Sequence, residues 1–283
     1  MFNEEKNKVM PSTLYLVATP IGNLSDMSER AIKVLSEVDF IAAEDTRNTL
    51  KLLTHFGIQK SLVSYHEHNK AERGGEIVRR LASGESAALV TDAGTPAISD
   101  PGADLVALCA EQNITVTSIP GACAGIVALT LSALATEKFC FEGFLPAQKS
   151  DRRKRLEFLT NETRTMLFHE APHKLKATLA DMAAAFGDGR KITLCRELTK
   201  LNEEVIRTTL GGAVALYEQK DPKGEYVLVV EGSNESEKAP ETELTIEEQV
   251  EYYIKNGMSK NDAIKATAKS RGVHKNEVYK LFL

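Results

Sequence analysis

Three short segments of this 283-residue chain place ionisable side chains directly after an apolar run: Ala43-Glu44-Asp45-Thr46-Arg47, Phe168-His169-Glu170-Ala171-Pro172 and Cys195-Arg196-Glu197-Leu198-Thr199-Lys200. A carboxylate beside a weakly acidic hydroxyl can take its proton as that oxygen forms a new bond, which makes Glu44, Asp45 and Glu170 candidate proton acceptors. Arg47 suits the holding of a phosphate or the orientation of a carboxylate. Plainer roles stand beside these: Asp45 or Thr46 as the cap of the next helix, His169 as a strand-end surface residue, Arg196 and Glu197 as an ion pair. A fourth segment is basic, with Lys149, Arg152, Arg153, Lys154 and Arg155 giving +4 over seven residues. That clustering suits RNA phosphates, and equally a solvated helix face.

Loops rich in glycine and proline supply the rest of a ligand site. In Leu89–Gly102 a β-branched run ends in two glycines, two prolines and two aspartates, a composition that specifies backbone shape. Asp100 as N-cap and Pro101 at the first helical position account for its end, but not for Asp92-Ala93-Gly94-Thr95-Pro96. Leu14–Asn23 runs from a strand into Pro20 and Gly22, and Ser118–Ala124 runs through Pro120-Gly121 into small residues that permit close approach of a ligand to backbone amides or tight helix packing.

The elements that must hold these loops follow from hydrophobic periodicity. Strands are predicted at 14–18, 40–43, 62–64, 87–91 and 115–119, alternating with helices at 28–37, 46–56, 72–82, 103–111 and 122–134. Asp26 with Glu29 resembles a capping box for the first helix. Alternation of this kind gives a parallel α/β domain, residues 12–136, whose strands share one carboxyl edge, so all three loops meet there. After Phe139 longer strands dominate, at 139–144, 165–169, 192–196, 205–210 and 226–231, which predicts an α+β second domain over 137–232 with a ligand cleft between the two.

Residues 233–244 read as a polar linker, and 245–283 as three short helices resembling a helix-turn-helix, net +2, opened by Thr245-Ile-Glu-Glu248 and Ser259-Lys-Asn-Asp262 and closed by Gly257 and Gly272. A helical appendage docking on the protein itself fits the same pattern. Composition sets outer bounds. At 42% hydrophobic and 27% charged residues the chain reads as a globular protein, and its apolar stretches are too short to span a membrane, which predicts a cytoplasmic place. The four cysteines show no C-x-x-C pair, so neither disulfides nor a metal site is expected. A net charge of −5 confines polyanion binding to local patches. Neither G-x-G-x-x-G nor G-x-x-x-x-G-K-[ST] occurs, which disfavours the ordinary dinucleotide and triphosphate loops.

Taken in order, Thr19–Leu24, Ala43–Arg47, Thr91–Gly102, Ile119–Gly121, Glu170–His173 and Arg196–Lys200 resemble the tetrapyrrole-methylase superfamily, in its RNA-methylating branch, over Leu14 to Gly232, with the terminal helices similar to that branch's C-terminal module. Ala43 stands where the family often has Cys. The resemblance implies S-adenosylmethionine as cofactor and methylation of a cytidine ribose 2′-oxygen in the decoding region of small-subunit ribosomal RNA, by a homodimer acting on that RNA or the 30S subunit. Carried over residue by residue, it places the cofactor against Pro20 and Gly22, against Asp92, Ala93, Gly94, Pro96, Ala97, Ile98 and Ser99, against Pro120, Gly121 and Ala122, and against Phe168 and Pro172. Two other functions use the same features: methylation of a tetrapyrrole or other small molecule on this fold, and a non-catalytic RNA-binding assembly factor.

Overall fold

The computed structural model describes residues 8–233, 244–255 and 257–282; the expected linker falls largely on 234–243, outside the described residues. The chain divides into one compact unit through Thr160 together with Arg164–Glu231, and another of Asn161–Thr163 with Gly232 onward.

The larger unit carries two sheets. In the first, strands β1 (Thr13–Val17), β2 (Phe40–Ala43), β3 (Ser61–Ser64), β4 (Ala87–Val90) and β5 (Thr115–Ile119) lie in the order β3-β2-β4-β1-β5, and every pairing is parallel. Their side chains alternate between two helix layers. Val17, Ile41, Ala43, Ala88 and Val90 pack with Ala31, Val34 and Leu35 of α1 (Glu29–Glu37) and Leu53 of α2 (Thr46–His55). Leu14, Phe40, Ala42, Ala87 and Leu89 pack with Ile77 and Leu81 of α3 (Lys70–Ala82) and Leu105 of α4 (Gly102–Glu111). The β1 crossover leads to β2 and the β4 crossover to β5, so these neighbouring strands send their connections in opposite directions along the sheet. A crevice at their carboxyl ends follows from that topology.

The second sheet takes β6 (Phe139–Phe144), β7 (Thr165–Glu170), β8 (Lys191–Arg196), β9 (Glu204–Thr209) and β10 (Tyr226–Val230) in the order β6-β7-β10-β8-β9, parallel between β6 and β7 and antiparallel elsewhere. Met166, Phe168, Leu194 and Leu228 point to the side covered by α6 (Lys149–Phe158), α7 (Pro172–Phe186) and α8 (Leu210–Gln219). Leu167, Cys195, Val227 and Val229 face Ala128 and Leu129 of α5 (Ala124–Leu131), the helix that leaves the first sheet. Helix α5 thus follows the last strand of the first sheet and packs on the second, and a cleft opens at its N-terminal end.

Two local expectations change. Helix α1 is capped by Ser28, whose hydroxyl accepts from the Ala31 amide, because Asp26 is drawn into a short 3-10 turn, Leu24–Asp26, capped by Asn23. The expected helix 122–134 is shorter, since Ala133 has φ 59° and lies past its last turn. In the smaller unit α9 (Ile246–Lys255), α10 (Lys260–Arg271) and α11 (Lys275–Lys280) enclose Val250, Tyr253, Ala263, Ile264 and Val278. Its start is a reciprocal capping box between Thr245 and Glu248, and Gly272 closes α10 at φ 64°.

Candidate active site

Three loops converge at the carboxyl edge of the first sheet. Beyond β1, Thr19 exchanges backbone hydrogen bonds with Gly94 beyond β4 (2.9 and 3.0 Å), and its hydroxyl donates to the Thr91 carbonyl (3.2 Å). The Thr95 hydroxyl donates to the Ala122 carbonyl beyond β5 (2.9 Å), joining the third loop. The β4 loop holds a specified shape. Gly94, Ala97 and Ser99 have φ of 85°, 68° and 62°, and one Asp100 carboxylate oxygen accepts from both the Ala97 and Gly102 amides (3.0 and 2.7 Å). Left-handed Ala97 and Ser99 carry backbone strain, which persists where surrounding contacts fix it and which clusters at binding sites. Asp100 therefore ties both ends of the loop as well as reaching the first turn of α4, where Pro101 holds the cap position.

This knot of loops separates two spaces. On one side Thr19, Pro20, Gly22, Asn48, Lys51, His55 and Asp92 line a cavity of about 290 Å³ over the first sheet. On the other, the cleft between the sheets contains a cavity of about 410 Å³ walled by Ile21, Ala93, Ala124, Phe144, His169, Pro172 and Lys200. A neighbouring cavity of about 210 Å³ shares Ile21, Ala93, Ala124 and His169 with it and adds Gly94, Ile98, Cys123 and Gly125. Together they fall in the ~300–1,000 Å³ range of small-molecule sites.

The expected cofactor residues are accordingly divided. Ala93, Gly94, Ile98 and Pro172 line the cleft, whereas Pro20, Gly22 and Asp92 line the other cavity. Pro96, Ala97, Ser99, Pro120, Gly121 and Ala122 belong to the same loops but line neither the cleft nor the other cavity; a Cβ on Gly121 would lie 2.7 Å from that of Ala18. Phe168 is fully buried under the helices that cover the second sheet, because alternation along β7 turns it away from the cleft and turns Leu167 and His169 toward it.

Several cleft residues lay outside the expected set. His169 stands edge-on to Phe141 and Phe144, with ring centroids 5.3 and 5.4 Å away, and its buried Nε2 has no partner among the described residues. Burial pushes its pKa below the ordinary imidazole value against the pull of Glu225, so the ring is neutral at pH 7. The Arg196–Lys200 loop closes the far wall. Lys200 pairs with Glu197 and Glu225 (2.9 and 2.8 Å), and the Glu225 amide followed by the Lys200 ammonium holds Glu197 below the usual carboxylate range. Gly22 is the point where this loop meets the β1 loop: a Cβ there would lie 2.9 Å from the Thr199 hydroxyl oxygen. Cys195 is an inert wall residue, since burial pushes its thiol up to about 11.

The candidate proton acceptors are engaged to different degrees. Both Asp45 oxygens are taken by Arg47, through its amide (2.8 Å) and its guanidinium (3.2 and 2.8 Å), which cap α2 and hold the carboxyl at about 2. Arg47 is thereby committed as well. Glu44 accepts from the Thr91 hydroxyl (2.6 Å). Glu170 is buried, with one oxygen on the Ala171 amide (2.9 Å) and the other on the Thr178 hydroxyl. Asp92 faces the Asn48 side chain, and partial burial, followed by the charges of Glu44 and Asp45, pushes its carboxyl above the ordinary aspartate value.

The basic helix α6 is less free than its sequence suggests. Arg152 is inside, bonded to Asp181 of α7 (2.6 and 2.9 Å), Arg153 reaches the other Asp181 oxygen (2.8 Å), and Arg155 pairs with Glu142 (2.6 Å). Arg152 is thus a structural ion pair rather than an RNA contact. Lys149, Arg153 and Lys154 keep exposed side chains.

Two parallel- and mixed-sheet layers with a cleft between them define a methylase class: residues 13–214 match the profile of the Tetrapyrrole (Corrin/Porphyrin) Methylases. Uroporphyrin-III C-methyl transferase from Thermus thermophilus, solved in complex with S-adenyl homocysteine, shares the fold at 16% identity, with a TM-score of 0.55 over 77% of this chain and 96% of that one. Ribosomal RNA small subunit methyltransferase I from Halalkalibacterium halodurans is 50% identical over 95% of this chain and 94% of its own length, and that from Synechocystis sp. is 46% identical over 95% and 97%. The chain belongs to the tetrapyrrole methylase family and, within it, to the ribosomal RNA small subunit methyltransferase I group. Among the described residues, no helix is long and apolar enough to cross a membrane.

Proposed function

We propose that this chain transfers a methyl group from S-adenosylmethionine, bound in the cleft between the two sheets, to the ribose 2′-oxygen of a cytidine in the decoding region of small-subunit ribosomal RNA, as a cytoplasmic homodimer. The observation that carries this reading is the partition built by Thr19 and Gly94, with the larger cleft on one side and a second, polar cavity on the other. The names of the full-length relatives support RNA as the acceptor.

The cleft's donor set fits the cofactor. Ala93, Gly94, Ala124 and Gly125 leave room for a flat base against the backbone, and the unpartnered His169 Nε2 offers it a hydrogen bond. Glu197, Glu225 and Lys200 supply charges for its hydroxyl, ammonium and carboxylate groups. A neutral His169 spares a cationic ligand repulsion. When bound, the cofactor supplies a methyl group already activated on sulfonium, so the protein's task is mainly alignment. Partly exposed Phe139, Phe141 and Ile126 line the smaller cavity of the cleft and Phe144 the larger; the apolar rim they make beside edge strand β6 supports self-association.

Transfer of a tritiated methyl group to 30S particles, free ribosomal RNA and a corrinoid, followed by mapping of the labelled atom, tests the proposal. Label on a ribose 2′-oxygen of the RNA is expected; label only on the corrinoid, or none with RNA binding retained, contradicts it. Reversing Lys149 and Lys154 to Glu should weaken 30S binding and flatten its salt dependence, by roughly one unit of log–log slope for each phosphate no longer neutralised. An unchanged slope removes α6 from the RNA surface.

A further inference from the structure

We propose that Asp92 is the proton acceptor of this transfer, standing at the wall between the cleft and the second cavity, and that this second cavity receives the nucleoside whose 2′-oxygen is methylated. The assignment rests on the donor site proposed above.

Position is what singles out Asp92. It lines the second cavity together with Thr19, Asn48, Lys51 and His55, while the next residue, Ala93, lines both cavities of the cleft. The Thr19 hydroxyl on the Thr91 carbonyl and the paired Thr19 and Gly94 backbones fix the loop on both sides of Asp92, which puts this residue beside the boundary between the two spaces. Its polar neighbours, Asn48 on α2 and the Asp45 backbone, leave it without a cationic partner of its own. Each alternative is otherwise occupied: Asp45 by Arg47, Glu44 by Thr91, and Glu170 by Thr178 and the Ala171 amide.

The charged groups around Asp92 work in a consistent sense. Glu44 at the end of β2 and Asp45 before α2 raise its proton affinity, Arg47 is neutralised by Asp45, and Lys51 and His55 on α2 face the same cavity. The β1 loop contributes Thr19, Pro20, Gly22 and Leu24, none of which is charged. In the step itself the 2′-oxygen bonds to the methyl carbon, the C–S bond breaks with its electron pair left on sulfur, and the 2′-hydroxyl proton passes to a carboxylate oxygen of Asp92. Lys51 and His55 are placed to meet the nucleotide's phosphate at the cavity mouth.

The test compares wild type, Asp92→Asn and Asp92→Glu in single-turnover methyl transfer to 30S particles as pH is lowered from about 8 toward the ordinary aspartate value, with S-adenosylhomocysteine and 30S affinities measured beside it. A general base contributes about 10²–10⁴-fold, so Asp92→Asn should lose that factor and the acidic limb of the rate profile, with both affinities within about 2-fold. Asp92→Glu, which keeps a carboxylate, should keep the limb. In the cofactor-free protein, ¹³C-carboxyl titration should place Asp92 above the ordinary aspartate value, and Glu44→Gln should move it down. Transfer by Asp92→Asn within about 3-fold of wild type, a retained limb, or a parallel loss of S-adenosylhomocysteine affinity overturns the assignment. Should Asp92→Asn not fold, an Asp92 titration at or below the ordinary value overturns it instead. A wild-type chain that binds no donor refutes the function proposed above; a transferring wild type whose rate survives Asp92→Asn refutes this assignment alone.

Discussion

Asp181→Ala is expected to lower unfolding stability by about 3 kcal/mol, the low end of what loss of one partner from a buried ion pair costs. Arg152 and Asp181 have side chains only 8% and 5% exposed, and Asp181 accepts from both Arg152 and Arg153. Removing the carboxylate leaves the Arg152 guanidinium inside with one long hydrogen bond to the Ala147 carbonyl (3.3 Å). Because α6 packs on α7 through this contact, the loss should appear in unfolding of the larger unit. Urea titration at neutral pH reads it as a lower midpoint with unchanged slope. The acid side gives a second reading. Burial acts to raise the Asp181 carboxyl, but hydrogen bonds from Arg153 and Arg152 outweigh it and hold the folded value below the ordinary one. The pair therefore stabilises fully above the ordinary aspartate value, and its contribution is lost as pH falls through the lower folded value. Wild type and variant should converge in strong acid. A variant within about 0.5 kcal/mol of wild type at neutral pH means that the pair contributes nothing.

The architecture was legible where the information is local. Phe40–Ala43, Thr115–Ile119 and Phe139–Phe144 emerge with the bounds that their apolar runs predict, and the turn and cap chemistry at Thr245, Ser259 and Gly272 is realised as read. Convergence of the three loops was equally legible, since parallel strands deliver their ends to one edge. What sequence left open is set by contacts between distant residues. Arg152 looks like one more surface cation in a basic run until Asp181, 29 residues on, draws it inside. Phe168 and His169 are neighbours in one motif, yet the pleat sends them to opposite faces, and only the position of α5 decides which face is the cleft. The same holds for Pro20 and Gly22 against Ile21, which the Thr19–Gly94 pairing assigns to different cavities. Left-handed Ala97 and Ser99 carry no sequence signature, because neither residue type favours that conformation.

Ala124→Trp should abolish binding of the methyl donor. Ala124 is the first residue of α5, packs at the edge of the Ala128 and Leu129 cluster and lines both cavities of the cleft, so an indole there fills the space the proposed ligand needs. The fold should survive, since the helix is nucleated beyond this position by buried Ala128 and Leu129. A loss of at least about 100-fold in affinity, near 2.7 kcal/mol, is expected. Thr130→Trp is the matched control: this residue is exposed on the last turn of α5 and lines neither cavity of the cleft, so affinity should change little.

Calorimetric titration of the full chain with S-adenosylhomocysteine, beside Ala124→Trp and Thr130→Trp, decides whether the cleft between the two sheets is the donor site. One site per chain is expected in wild type and Thr130→Trp, with no heat of binding in a folded Ala124→Trp; absence of binding to wild type, or undiminished binding to Ala124→Trp, contradicts that placement.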